Sequence, residues 1–183
     1  MKKLLLTLLL PLSIISSASY GEEINSLFGI TLYDNAEKYF SSNYIDSNKT
    51  EHIETLGGYF DLDISDKIAE KSPYFSTYWI AIDINNIVHD IYSEKEYLNL
   101  TNCQAVLELL SSSLEEKYEI DFEYSEKSFP NFKIYSYYHY NSSDDYFAIQ
   151  CKEDFEYYSA FMQIYIDSKI FGEAIDDFYE FGL

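Results

Sequence analysis

Thr101–Tyr118, TNCQAVLELLSSSLEEKY, sets one of the chain's two cysteines on a clear helical pattern. Cys103, Leu107, Leu110, Leu114 and Tyr118 recur at steps of four and three, which makes one face apolar, while Glu115 and Glu116 fall away from it. Thr101 and Gln104 stand at capping-box spacing and place the helix start at Thr101. An apolar stripe of this kind has to cover something, and Cys103 lies on the covering face.

The second cysteine closes YFAIQC, Tyr146–Cys151. Phe147, Ile149 and Cys151 alternate with Tyr146, Ala148 and Gln150, as in a half-buried strand. Cys151 is then on the face a helix would cover, and the pattern predicts a Cys103–Cys151 disulfide tying helix start to strand end. It closes a loop of roughly 50 residues, which a chain-entropy estimate converts to about 4 kcal/mol. The alternative is two separate buried thiols acting as small hydrophobes.

Other segments supply the sheet. Phe60, Leu62 and Ile64 alternate with Tyr59, Asp61 and Asp63. Tyr74–Ile84 alternates likewise, with Tyr78, Ile80, Ile82 and Ile84 on one face, then an Asn85-Asn86 turn and a return strand Ile87–Tyr92. Glu94–Leu100 reads as a connection. After the helix come a short strand marked by Ile120, Phe122 and Tyr124, the aromatic strand Phe132–Tyr140, the turn Asn141–Asp145, an acidic loop Lys152–Tyr157 and the strand Ser159–Ile166. Asp34 caps a short helix over 34–44, and Phe171, Ile175 and Phe178 predict another over 171–181. Ile80-Ala81-Ile82-Asp83 before Ile87 echoes Ile164-Tyr165-Ile166-Asp167 before Ile170, as two similar strand–turn units would. The fold class expected is a single α+β domain, an antiparallel Tyr-rich sheet with the 101–118 helix on one face.

Lys2 and Lys3, the apolar Leu4–Ile15 and the small Ser16, Ser17 and Ala18 form a bacterial-type export leader, 1–18, with cleavage as late as 21. The apolar run is shorter than the ~20 residues a membrane span needs, so no stable anchor is expected after cleavage. The domain is then 22–183, in the periplasm or the medium, where disulfides persist.

Thirty-two acidic residues face 12 Lys and no Arg, a formal charge of −20. Losing Lys2 and Lys3 with the leader makes the mature chain more negative by two. This balance excludes nucleic acid as a partner and suits a basic protein, or simply a solvated surface in a salty habitat. The Tyr-rich strands suit protein docking or sugar stacking, or are β-sheet filler. Candidate partner-binding residues are Asp144, Asp145 and Tyr146 at one end of the Cys151 strand, Glu153, Asp154 and Glu156 at the other, and Tyr138 and Tyr140 nearby. With a strand ending at Cys151, the two acid groups are about 20 Å apart at most.

No nucleophile motif, Gly-rich phosphate loop or metal-ligand spacing is present, so no catalytic residue, metal or cofactor is expected. The chain reads as a non-catalytic periplasmic or secreted acidic binding protein, of inhibitor or immunity type. The alternative is a sugar- or cell-wall-binding module using exposed tyrosines, and a hydrolase with a carboxylate site stands third.

Overall fold

The computed structural model describes residues 23–181 apart from 54, 56, 69, 70 and 158. The segment expected to be a leader, 1–18, lies outside the described residues. After a hairpin of β1 (Ser26–Leu27) and β2 (Ile30–Thr31) come α1 (Ser42–Asn48), β3 (Lys49–Glu51), β4 (Tyr59–Asp63), β5 (Thr77–Asp83) and β6 (Val88–Tyr97). Helix α2 (Leu100–Tyr118) leads to β7 (Glu123–Ser128), β8 (Phe132–Tyr140), β9 (Tyr146–Asp154), β10 (Ser159–Asp167) and α3 (Lys169–Phe181).

Strands β3 to β10 form one eight-stranded antiparallel sheet in the order β3-β4-β5-β6-β10-β9-β8-β7. It consists of two meanders, β3–β6 and β7–β10, whose last strands β6 and β10 pair at the centre. The whole is a single α+β domain.

Period-2 alternation sorts the sheet into two faces. Ile80, Ile91, Ile149, Cys151, Met162 and Ile164 are all buried on one of them. There α2 lays its buried Cys103, Leu107, Leu110, Leu114 and Tyr118 against β6, β9 and β10. Cys103 and Cys151 are disulfide-bonded, with Cα atoms 5.9 Å apart. The N-terminal segment completes this layer: Phe28 meets Tyr78 edge-on at 4.9 Å, and Leu27, Leu32 and Ile45 are buried in the same core.

Several local expectations shift. Asn99, not Thr101, caps α2, its side-chain oxygen accepting the Asn102 N–H at 2.9 Å, because an extended Asn serves the third helical residue directly. The 34–44 helix divides into a 3-10 turn, Ala36–Lys38, capped by Asn35, and α1, capped by Ser41. Asp34 instead binds Lys38 at 2.6 Å and accepts the Tyr39 hydroxyl. Ile84 leaves the strand for the turn and is 71% exposed; of the Asn pair only Asn86 takes positive φ, 61°. Strand β6 runs on through Tyr97, absorbing most of the connection expected at 94–100, and β9 runs on to Asp154. The strand after α2 begins at Glu123, with Ile120 and Phe122 packing on the core ahead of it. Helix α3 starts two residues early, at Lys169, where the Ser168 hydroxyl accepts the Phe171 N–H at 3.2 Å.

Candidate functional site on the open sheet face

The face opposite α2 is polar and aromatic, and the strand register arranges it into stripes running across the strands. The first contains Asp61, Ala81, Asp90, Asp167, Tyr146 and Tyr140, each opposite the next on β4, β5, β6, β10, β9 and β8. The second, two residues along each strand, is Asp63, Trp79, Tyr92, Tyr165, Ala148 and Tyr138. The third is Thr77, Glu94, Gln163, Gln150 and Ser136. A carboxylate stripe, an aromatic stripe and an amide stripe therefore lie side by side, about 7 Å apart.

The aromatic rings pack on one another. Trp79 and Tyr92 stack at 5.6 Å with 26° between planes, Tyr92 and Tyr165 stand at 6.5 Å, and Tyr165 and Tyr146 at 5.7 Å. Burial pushes the Tyr92, Tyr146 and Tyr165 phenols above their ordinary range, so all three remain protonated donors. The amide stripe fixes the hydroxyls. Tyr92 donates to Glu94, Gln163 Nε2 donates to the Tyr92 oxygen at 2.8 Å, and Gln150 Nε2 donates to Gln163 Oε1 at 2.7 Å. The floor is held rigid before any ligand arrives.

Helix α3 crosses one end of this face. Phe171, 2% exposed, meets His52 edge-on at 5.1 Å and Tyr59 at 5.0 Å. Between α3 and the floor lies a cavity of about 540 Å³ lined by Asp61, Trp79, Asp90, Asp167, Phe171 and Ile175 among others; no lysine is among its described lining residues. It continues past Tyr165 and Asp167 into a second cavity reaching Tyr140, Asp144 and Tyr146.

Asp90 and Asp167 are the unusual pair in it. They face each other directly across β6 and β10, with their carboxyls within hydrogen-bonding reach. Burial pushes both above the ordinary carboxyl range, and their mutual repulsion pushes Asp90 further. Two carboxyls this close share a proton and titrate as a unit. Asp61 is set apart by its partner, His52, whose Nδ1 lies 2.7 Å from Asp61 Oδ1. Among the described residues, no His, Cys, Asp or Glu group has the geometry to hold a metal ion.

The residues proposed from sequence are dispersed. Tyr138, Tyr140 and Tyr146 do cluster on the open face, with centroids 5.1 to 6.1 Å apart. Asp144 is exposed at the cavity rim, paired with Lys169 at 2.9 Å. Asp145 is 3% exposed and structural: it accepts the Tyr33 hydroxyl, Asn141 Nδ2 at 3.1 Å and the Lys169 N–H at 3.1 Å. Glu153 shares the register of Cys151 and so belongs to the α2 side, Asp154 accepts the N–H groups of Glu156 and Tyr157 in a turn, and Glu156 is exposed. Because β9 is nine residues long, its acidic ends are about 27 Å apart, beyond the 20 Å expected.

Asp61, Asp167 and Trp79 are not among the residues the sequence singles out, and adjacency in sequence does not show what Asp90 would join. A signal existed: Asp90, Tyr92 and Glu94 on β6 are mirrored by Gln163, Tyr165 and Asp167 on β10. The mirror becomes a site only when the two strands are known to pair. The chain matches no family model, and comparison with curated proteins and with solved structures finds no match either.

Proposed function

We propose that this is a non-catalytic acidic binding protein whose open sheet face engages a cationic partner, in an inhibitor- or immunity-type role toward a basic protein. The observation that carries this reading is the carboxylate stripe Asp61, Asp90 and Asp167, set in a cavity with no lysine among its described lining residues. A row of three acids, with His52 beside Asp61 as the one basic group among the cavity's described lining residues, favours a partner that brings the positive charge. The ring geometry favours it over sugar stacking. A sugar platform needs free ring faces, and at the cavity floor Trp79 and Tyr92 stack on one another with Tyr165 beside them, which leaves Tyr140 at the end of its stripe as the exposed ring of the cluster.

The location belongs to the same proposal. The disulfide is compatible with an extracytoplasmic compartment, and among the described residues no helix is long and apolar enough to cross a membrane. With the leader pattern, this supports a periplasmic or exported protein.

The test is a titration of the mature protein with oligolysine and with a neutral oligosaccharide, each at low and high salt. Oligolysine should bind at low salt and weaken steeply as salt rises. Oligosaccharide binding that is indifferent to salt, with no oligolysine binding, would install the sugar-binding reading instead.

A further inference from the structure

The carboxyl pair and the cavity above it specify more than a negative surface. Asp90 Oδ1 is buried with no hydrogen-bond donor among the described residues; the carboxyl faces that of Asp167, and the donor beside it is the backbone N–H of Ile91. A buried acceptor oxygen set against another carboxyl needs a donor between them. In the free protein that donor is a shared proton. An ammonium group would serve the place better, bringing three donors and a positive charge.

The surroundings extend the match from one charge to two. Along the same stripe, Asp61 stands two strands from Asp90, about 10 Å away, with only the small Ala81 between them. A second positive centre at that distance finds its own carboxylate. Phe171 and Ile175 of α3 roof the space with apolar surface that suits a methylene chain, while the charged Lys169, Glu173 and Asp176 of the same helix line the adjoining cavity. A cavity of about 540 Å³ is of the size that takes small ligands rather than a protein surface.

We propose that this cavity is a binding site for a linear aliphatic diamine or polyamine, with one ammonium group lodged between Asp90 and Asp167 and another at Asp61. The proposal rests on the reading of the open face as a cation-binding surface and deepens it by naming a small-molecule class. Binding replaces the shared proton: the ammonium enters between the carboxyls as R–NH3+, and the proton leaves to solvent. The other titratable groups around the pair are Asp61 with its partner His52, the phenols of Tyr92, Tyr146 and Tyr165, and, in the adjoining cavity that Asp167 also lines, Lys169, Glu173 and Asp176 of α3.

Trp79 makes the test local, because it is the chain's one tryptophan and it lines this cavity. Spermidine, putrescine, butylamine and oligolysine would be titrated into the full mature protein, following tryptophan emission together with calorimetry in two buffers of different ionisation enthalpy. Spermidine should shift Trp79 emission and release up to one proton near neutral pH. Asp167→Asn should weaken it at least tenfold while the melting temperature shows the fold intact. Asp61→Asn should weaken spermidine and leave butylamine unchanged. Glu96→Gln, an exposed acid outside the stripe, should change neither. Oligolysine binding without any spermidine response, or spermidine binding that Asp167→Asn leaves intact, would overturn the diamine site and spare the proposed function. Failure of both spermidine and oligolysine would remove both.

Discussion

Tyr33 donates its hydroxyl to the carboxylate of Asp145, a residue 112 positions later in the chain. The bond joins the N-terminal segment to the turn between β8 and β9. The same carboxylate receives Asn141 Nδ2 and the first backbone N–H of α3, so three separate segments converge on one buried acid. Its neighbour Asp144 is exposed and pairs with Lys169.

The two adjacent acids should therefore respond differently to mutation. Asp145→Ala strands three donors, one of them the buried Asn141 amide, and should cost about 2–4 kcal/mol. Asp144→Asn keeps a residue type that tolerates the φ of 63° and loses only an exposed ion pair, so it should cost less than about 1 kcal/mol. Chemical denaturation of the two variants checks this. It also revises the sequence-based placing of both acids in one partner-binding patch.

The disulfide should be worth several kcal/mol. It spans 48 residues and joins the first turn of α2 to the middle of β9. A Cys103→Ala/Cys151→Ala double variant should lose about 2–4 kcal/mol relative to the oxidised protein, since the unfolded chain regains its loop entropy. Urea unfolding of the variant, the oxidised protein and the reduced protein separates the crosslink from the change of side chain.

Helix α2 ends on a strained residue. Glu119 takes a left-handed conformation, φ 55° and ψ 41°, where glycine is the unstrained choice, and it puts a negative charge at the negative end of the helix dipole. Glu119→Gly should stabilise the protein by about 0.5–1 kcal/mol, because relief of the Cβ clash and of the dipole exceeds the extra entropy of an unfolded glycine. A lower melting temperature for this exposed substitution would show that the Glu119 side chain makes a contact of greater value.

What the sequence made legible was local. The stripe from Cys103 to Tyr118 lies within one helix, and the Tyr146–Cys151 alternation lies within one strand, so periodicity alone placed both cysteines on the buried side. The site is not local. Asp90 and Asp167 come from two meanders, and nothing in either segment states that β6 and β10 are partners. Asp145 misled for the same reason: next to Asp144 in a Ser- and Asn-rich turn it has the look of a solvated charge, and the group that buries it, Tyr33, belongs to the other end of the domain.

The carboxyl pair predicts a pH dependence of definite sign. Burial raises the folded-state pKa values of both Asp90 and Asp167 above the ordinary value near 4 that each has when unfolded, and repulsion from Asp167 raises Asp90 further. Between those values the native state holds more protons than the unfolded state, so stability falls as pH rises. The pair's contribution is fully present below about pH 4 and is lost as pH climbs through the raised folded values. Asp90→Asn replaces the shared proton with an amide that donates to Asp167 at any pH. The variant should melt above the wild type at pH 7, with the difference shrinking toward zero at pH 4. Comparing variant with wild type cancels the titration of the many other acids, which both proteins share. Thermal melts of the two proteins across this range check the sign. A variant that melts below the wild type at pH 7 by as much as at pH 4 would mean that the pair holds no proton and that its two carboxyls are kept apart in solution.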